Sequence, residues 1–184
     1  MNTKRKILID TALTLFYQNS IYSVGINEIL SVSGIAKKTL YHHFSGKEAL
    51  VLATLEKRDQ GFQQWLTTQL SGAKNDTEVI HQLFYGLTDW FHSRVPELGD
   101  FRGCFFTNTS AEFSDEKSAI AQYCRQHKQQ VRQLIKQALK RQDEAFLDWV
   151  CLLKEGAISS AYVSQDLDAA LKCIAILTAS EVKY

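Results

Sequence analysis

Residues 26–50, INEILSVSGIAKKTLYHHFSGKEAL, decide how the rest of the chain is read. Ile26, Ile29 and Leu30 recur at i, i+3 and i+4, which puts them on one face of a helix. Gly34 ends that helix, since glycine reaches the left-handed conformation of a helix C-terminus without a Cβ penalty. A second helix is expected over residues 36–44, with Leu40 and Phe44 one turn apart as its inner stripe. At about 100° per residue, Lys38, Thr39, Tyr41 and His42 point away from that stripe, and Lys37 and His43 lie at its edges. Ser45 and Glu48 have the spacing of a capping box, so a third helix starts at once.

A helix this short is not stable alone and must be held by its neighbours. Its outer face joins cations, hydroxyls and aromatic rings. Lysines neutralise phosphates, Tyr and Thr hydroxyls bond phosphate oxygens, and Lys or His reaches base edges. The pattern is that of a helix-turn-helix. The competing reading is a generic amphipathic helix pair.

The segment SGIAKKTLYHHFSGKEAL resembles the signature of the TetR family of transcriptional regulators, through Ser33, Gly34, Ile35, Thr39, Leu40, Tyr41, His42, His43, Phe44, Lys47, Glu48 and Leu50. The resemblance covers residues 4–58, about a third of the chain. It implies an all-α protein with an N-terminal three-helix DNA-binding domain, residues 1–50, and a C-terminal helical domain for effector binding and dimerisation, residues 51–184. It implies a homodimer on a double-stranded DNA operator, released by a small molecule. Lys4, Ser23, Gly25, Lys37, Lys38, Thr39, Tyr41, His42, His43 and Lys47 form the expected DNA face. Three positions depart from the family, the first being Asn19-Ser20, where relatives usually have a Gly. Gly25 stands where many relatives place Thr or Ser, so the cap hydroxyl and its phosphate contact are lost and Ser23 is left to supply part of that contact. Lys38 stands where relatives often have a small residue, and is the expected determinant of operator choice.

The whole chain agrees with a helical globular protein. At 184 residues and 45% hydrophobic content it can bury a real core. One Pro and nine Gly are too few for the turns of an all-β fold. No run of 18 apolar residues exists and MNTKRKILID has no signal-peptide core, so a soluble, cytoplasmic chain is the expectation. Cys104, Cys124, Cys151 and Cys173 are dispersed without a C-x-x-C, which points to neither a zinc site nor a disulfide framework, and no cofactor is expected. The charge is uneven. Residues 1–58 hold eight basic and four acidic side chains, a net of +4, against 13 and 16 in the remainder, a net of −3. The nucleic-acid face therefore belongs at the N-terminal end.

In chain order, a first helix is expected from Lys4 to Tyr17, ended by Asn19 in the left-handed conformation. A long helix over residues 47–70 crosses the domain boundary and is a mechanical link. Another helix begins at Asn75 or Asp76, and residues 93–103 form the longest loop. The segment GCFFTNTSAEF, residues 103–113, resembles a Gly-Cys-apolar segment with a following Asn and Glu that lies beside the effector pocket in part of the family. A helix over residues 115–141 follows, then helices over 144–163 and 166–183. The Gln-, Lys- and Arg-rich stretch from Arg125 to Arg132 reads as a solvated face, because no aromatic or hydroxyl residues interleave with the charges as in a second nucleic-acid site.

Small residues on the last two helices, Gly156, Ala157, Ser160, Ala161, Ala175 and Ala179 with Leu153 and Leu171, allow close helix crossing. They suit a four-helix dimer interface, or else closure of the monomer's core. Phe62, Trp65, Phe84, Trp90, Phe91, Phe105, Phe106 and Tyr123 offer more aromatic surface than such a core needs. With His81, Asn108 and His127 as polar anchors, they are the expected lining of a site for a hydrophobic or aromatic effector. Core packing is the alternative for each of them. A further alternative makes Cys104 a redox or electrophile sensor, which requires an exposed thiol with a lowered pKa, and the sequence offers only Arg102 beside it. Catalytic motifs such as G-x-S-x-G, H-E-x-x-H or a phosphate loop are absent, so no catalytic residue is assigned; an all-α enzyme is the competing class.

Overall fold

The computed structural model describes residues 3–180, and among these it contains nine helices and no strand. They are α1 (Thr3–Asn19), α2 (Ile26–Ser33), α3 (Lys37–His43), α4 (Lys47–Gln69), α5 (Asp76–Phe91), α6 (Phe105–Glu112), α7 (Ala119–Ala138), α8 (Glu144–Val163) and α9 (Ala169–Ser180). None of the described helices is long and apolar enough to cross a membrane.

The chain packs as two units, residues 1–60 with 105–127, and residues 61–104 with 128–184. In the first, α1 packs on α2 and α3 through Leu8, Ile9, Ala12, Phe16, Ile29 and Leu40, all buried. Val51 and Leu55 of α4 and Phe105, Phe106 and Ile120 are buried in the same unit. In the second, α5 packs on α8 and α9, and α8 on α9, around Leu83, Phe84, Trp90, Phe146, Val150 and Leu177.

The element ends follow local chemistry and correct several expectations. Asn19 is the last residue of α1, and the left-handed conformation falls on Ser20 at φ 76° rather than on Asn19. Helix α7 begins at Ala119, not residue 115. Asp115 Oδ1 accepts from the Lys117 amide at 2.9 Å and Ser118 Oγ from the Ala121 amide at 3.1 Å, so these side chains form a turn and a cap instead of a first helical turn. The same helix stops at Ala138, short of Arg141, because Asp76 takes the Lys140 and Arg141 amides at 2.5 and 3.2 Å. Helix α9 begins at Ala169, and Lys183 lies outside the described residues. Asn75 caps α5, accepting from the Glu78 amide at 2.8 Å, while Glu78 Oε2 accepts from the Lys74 amide at 2.8 Å.

The connection from α5 to α6 carries Ser93, Gly99 and Gly103 at positive φ. At Gly103 a Cβ would lie 2.9 Å from the Tyr162 ring, so both the conformation (φ 77°) and the close approach require glycine.

Candidate nucleic-acid interface

Helix α3 is built outward from one buried residue. Leu40 is fully buried and Phe44 follows it into the core, which leaves Lys37, Lys38, Tyr41 and His42 exposed and Thr39 and His43 half-buried. The turn before it is held locally. Gly34 sits at φ 66° and donates its amide to the Leu30 carbonyl, while Ser33 Oγ accepts from the Ile35 amide at 3.3 Å. Gly25 is the N-cap residue of α2 and gives no side-chain cap, as its missing hydroxyl requires. Lys4 and Ser23 are exposed, and Ser23 Oγ lies 3.5 Å from Ser20 Oγ.

Arg5 and Lys47 are among the cations braced on aromatic rings in this unit. The Arg5 guanidinium lies 5.2 Å from the centre of the Phe44 ring, and the Lys47 ammonium 5.9 Å from that of Phe16. Burial lowers the Lys47 pKa, partly offset by the nearby Glu112 charge. Lys47 lines, with Ile21, Tyr22, Val51, Phe113 and Ser118, a cavity of about 560 Å³. Among the DNA-face candidates it is thus partly withdrawn from solvent, like Thr39 and His43, whereas Lys37, Lys38, Tyr41 and His42 are exposed.

The effector candidates fall into two groups, one in each packing unit. Phe62, Trp65, Trp90 and Phe91 form one aromatic cluster. Ring centres are 5.2 Å apart for Phe62–Trp65, 5.6 Å for Phe62–Trp90 and 6.1 Å for Trp90–Phe91, and Phe101 joins at 5.0 Å from Trp90. Phe84 is fully buried in the same unit, and His81 lies against Tyr85 at 5.6 Å. In the other unit Phe106 stacks on His127 at 3.5 Å and 10°, and Phe105 meets Tyr17 edge-on at 5.8 Å. His127 Nδ1 is 2.6 Å from Asp59 Oδ1, both side chains 5% exposed or less, and the Tyr123 hydroxyl donates to Asp59 Oδ2 at 3.2 Å. Burial, then the Asp59 charge, raises the Tyr123 pKa, which keeps its proton in that bond. Thr109 is fully buried and its hydroxyl has no hydrogen-bond partner among the described residues, whereas Asn108 is half-buried.

Three participants escape a reading of the sequence. Asp59 lies four residues after Leu55 and three before Phe62, on the buried stripe of α4, and a charge at that register is the available signal. Glu112 stands in a segment whose spacing names no partner for it. Lys128 Nζ approaches Cys104 Sγ at 3.3 Å and Glu155 at 2.7 Å, across a sequence gap that no local pattern reveals.

The dimer candidates also divide. Ala157 and Ala161 are buried within the single chain, and so close its own core, while Gly156, Leu171 and Ala175 are exposed and Leu153 and Ser160 half-buried. The side chain of Ala179 lies outside the described residues. Beside the exposed set run Trp149, Leu152 and Ile176, at 47, 70 and 55% exposure, around an apolar groove of about 430 Å³ completed by Leu153 and Leu177.

A helix-turn-helix with an exposed cationic and aromatic second helix, inside an all-helical chain, defines a class of DNA-binding regulators. Residues 8–54 match the family model of bacterial regulatory proteins, tetR family. The chain is 28% identical over 165 residues to the HTH-type transcriptional regulator YuxN of Bacillus subtilis, covering 89% of this chain and 55% of that protein. It is 28% identical over 111 residues to the HTH-type transcriptional repressor NemR of Escherichia coli, covering 60% and 54%. The crystal structure of SCO4454, a TetR-family transcriptional regulator from Streptomyces coelicolor, superposes with a TM-score of 0.79 at 25% identity over 95% of both chains. The chain spans about half the length of the curated relatives it matches. The similarity to the tetR family of bacterial regulatory proteins thus lies in the helix-turn-helix segment, residues 8–54.

Proposed function

We propose that this chain is a ligand-responsive transcriptional regulator, a repressor released from a palindromic operator by a small hydrophobic or aromatic effector. The observation that carries the reading is the outer face of α3, where Lys37, Lys38, Tyr41 and His42 stand exposed on a helix anchored by buried Leu40. Phosphate neutralisation supplies affinity and the paired recognition helices of a homodimer supply specificity. Residues 1–50 serve as the DNA-binding part, and residues 51–184 bind the effector and dimerise through the exposed face of α8 and α9. Repression, as the sense of regulation, follows the name of the relative NemR. The effector acts at one of the two aromatic groups described above and shifts α4, which changes the separation of the recognition helices. By linkage it binds the operator-bound form less tightly. Selection of bound sites from a random duplex library tests the reading: a recovered inverted repeat supports it, and recovery of no sequence refutes it.

A second reading is favoured by one contact. The Lys128 ammonium lies 3.3 Å from Cys104 Sγ, a cation placed to stabilise a thiolate, in a thiol that is 8% exposed. Burial lowers the Lys128 pKa, but the Cys104 and Glu155 charges outweigh it and the net shift is upward, so the charge persists. In this reading an oxidant or electrophile acts on Cys104 and releases the DNA. Cys104→Ser separates the two: retained release by the natural inducer supports the aromatic effector site, and loss of release with intact DNA binding supports the thiol.

A further inference from the structure

The segment of residues 103–113 holds one residue that neither the proposed effector site nor the DNA face uses. Glu112, at the end of α6, reaches the turn between α1 and α2. Its Oε1 accepts from the Ile21 amide at 3.0 Å, and its Oε2 accepts from the Tyr22 amide at 2.7 Å and the Ser20 hydroxyl at 2.8 Å. Next to it Phe113 stacks on Tyr22, with ring centres 5.5 Å apart and planes 17° from parallel. One carboxylate and one ring therefore grip three consecutive residues that lie some 90 positions earlier in the chain.

The gripped turn is the entry to the DNA-reading helices. Ile21 and Tyr22 are outside any helix, so their amides have no ladder partner and depend on an acceptor from elsewhere. Ser20 holds a positive φ of 76° without being glycine, a conformation that needs support from outside the turn. Ser23 and Gly25 follow immediately, and Gly25, the N-cap residue of α2, gives no side-chain cap. A turn this weak in local signals is set by what holds it. Bonds to a carboxylate are about twice as strong as neutral ones.

We infer that Glu112 is a positioning residue for operator recognition: it fixes the α1–α2 turn, and through it α2 and α3, to the end of α6. The inference rests on the DNA-binding reading above. It gives α6, whose first turn follows Cys104 and carries Phe105 and Phe106, a route to the recognition helix separate from α4. A displacement of α6 moves the grip, and the grip moves the turn.

The test uses the full chain with Glu112→Ala, Glu112→Gln and Ser20→Ala. Affinities for a selected operator and for a scrambled duplex of equal length are measured at one salt concentration. Amide exchange is followed at Ile21 and Tyr22, with Leu83 and Leu87 of α5 as a reference for global folding. Expected for Glu112→Ala is a loss of operator affinity of about tenfold or more, from bonds of the charged class. Scrambled-duplex affinity should stay within about twofold, since phosphate attraction does not depend on register. Exchange at Ile21 and Tyr22 should rise while α5 stays protected. Glu112→Gln keeps one amide oxygen as acceptor and should fall between, and Ser20→Ala should have a smaller effect that is not additive with Glu112→Ala. Faster exchange with unchanged operator preference overturns the positioning role. So does a loss of operator binding that comes only with loss of α5 protection. Should Glu112→Ala not fold, unchanged operator preference in both Glu112→Gln and Ser20→Ala overturns it equally. A wild-type chain that binds neither duplex sinks the DNA-binding reading instead, while exchange at Ile21 and Tyr22 still reports on the grip.

Discussion

Leu40 and Tyr41 are neighbours in the chain with opposite environments, one fully buried and the other 49% exposed. That division gives each residue of α3 a separate energetic meaning. Leu40→Ala would cost folding, about 2–5 kcal/mol for a buried leucine. Tyr41→Ala should cost only DNA contacts, weakening specific and non-specific duplexes alike in a binding titration. Lys38→Ala should instead change preference among operator sequences, read by repeating the site selection; a uniform loss of affinity would assign Lys38 to phosphate. Gly103 has the reverse logic, because its constraint is its lack of a side chain. Its φ is 77°, and a Cβ at this position would stand 2.9 Å from the Tyr162 ring. Gly103→Ala should therefore lower stability by at least about 1–2 kcal/mol in a urea melt.

At the scale of elements, α7 and α8 meet through charges that composition alone would place at the surface. Lys154 of α8 is 4% exposed and pairs with Glu155, which also takes Lys128 of α7 at 2.7 Å. Burial pushes the Glu155 carboxyl up, but the Lys154 and Lys128 charges and hydrogen bonds overcome it and hold it down at about 2, against an ordinary 4.5. A carboxyl with a lowered folded pKa stabilises the fold above its unfolded value. That contribution disappears as pH falls from about 4.5 through about 2, where the unfolded chain binds the extra proton. Glu155→Gln should flatten the stability profile in that window. At neutral pH it should cost about 1–2 kcal/mol, less than a fully buried pair because Glu155 is 37% exposed. Thermal melts from pH 2 to 7 measure both effects, and parallel profiles for the two proteins would remove Glu155 from the account.

For the whole molecule the question is assembly. The exposed apolar set on α8 and α9, centred on Trp149, Leu152 and Ile176, is a contiguous surface of the kind that a second copy covers. Gly156 lies beside it, and a Cβ there meets nothing within 4 Å in the single chain. Gly156→Leu should therefore leave the monomer folded by circular dichroism and separate the proposed dimer by overpacking the crossing between chains. An unchanged dimer mass in light scattering would place the interface elsewhere.

Features that depend on short spacing are legible in the chain before it folds. The 3.6-residue stripes mark α1, α2, α3, α5 and α7, Gly34 marks the helix-turn-helix corner, and Asn75 marks the start of α5, because these signals act within one or two turns of backbone. The outward residues of α3 are legible for the same reason, since Leu40 and Phe44 fix the inner face. Helix ends are less legible where a side chain from elsewhere competes for the backbone, as Asp76 does at Lys140 and Arg141. The destinations of the long-range charges come from packing alone. Packing pairs Asp59 with His127, places Lys128 against Cys104, buries Lys154, and sets Glu112 on the α1–α2 turn. Each of these joins residues far apart in the chain or defies the usual exposure of its type. Local propensity contains neither term, because the energy that selects them exists only once the helices have packed.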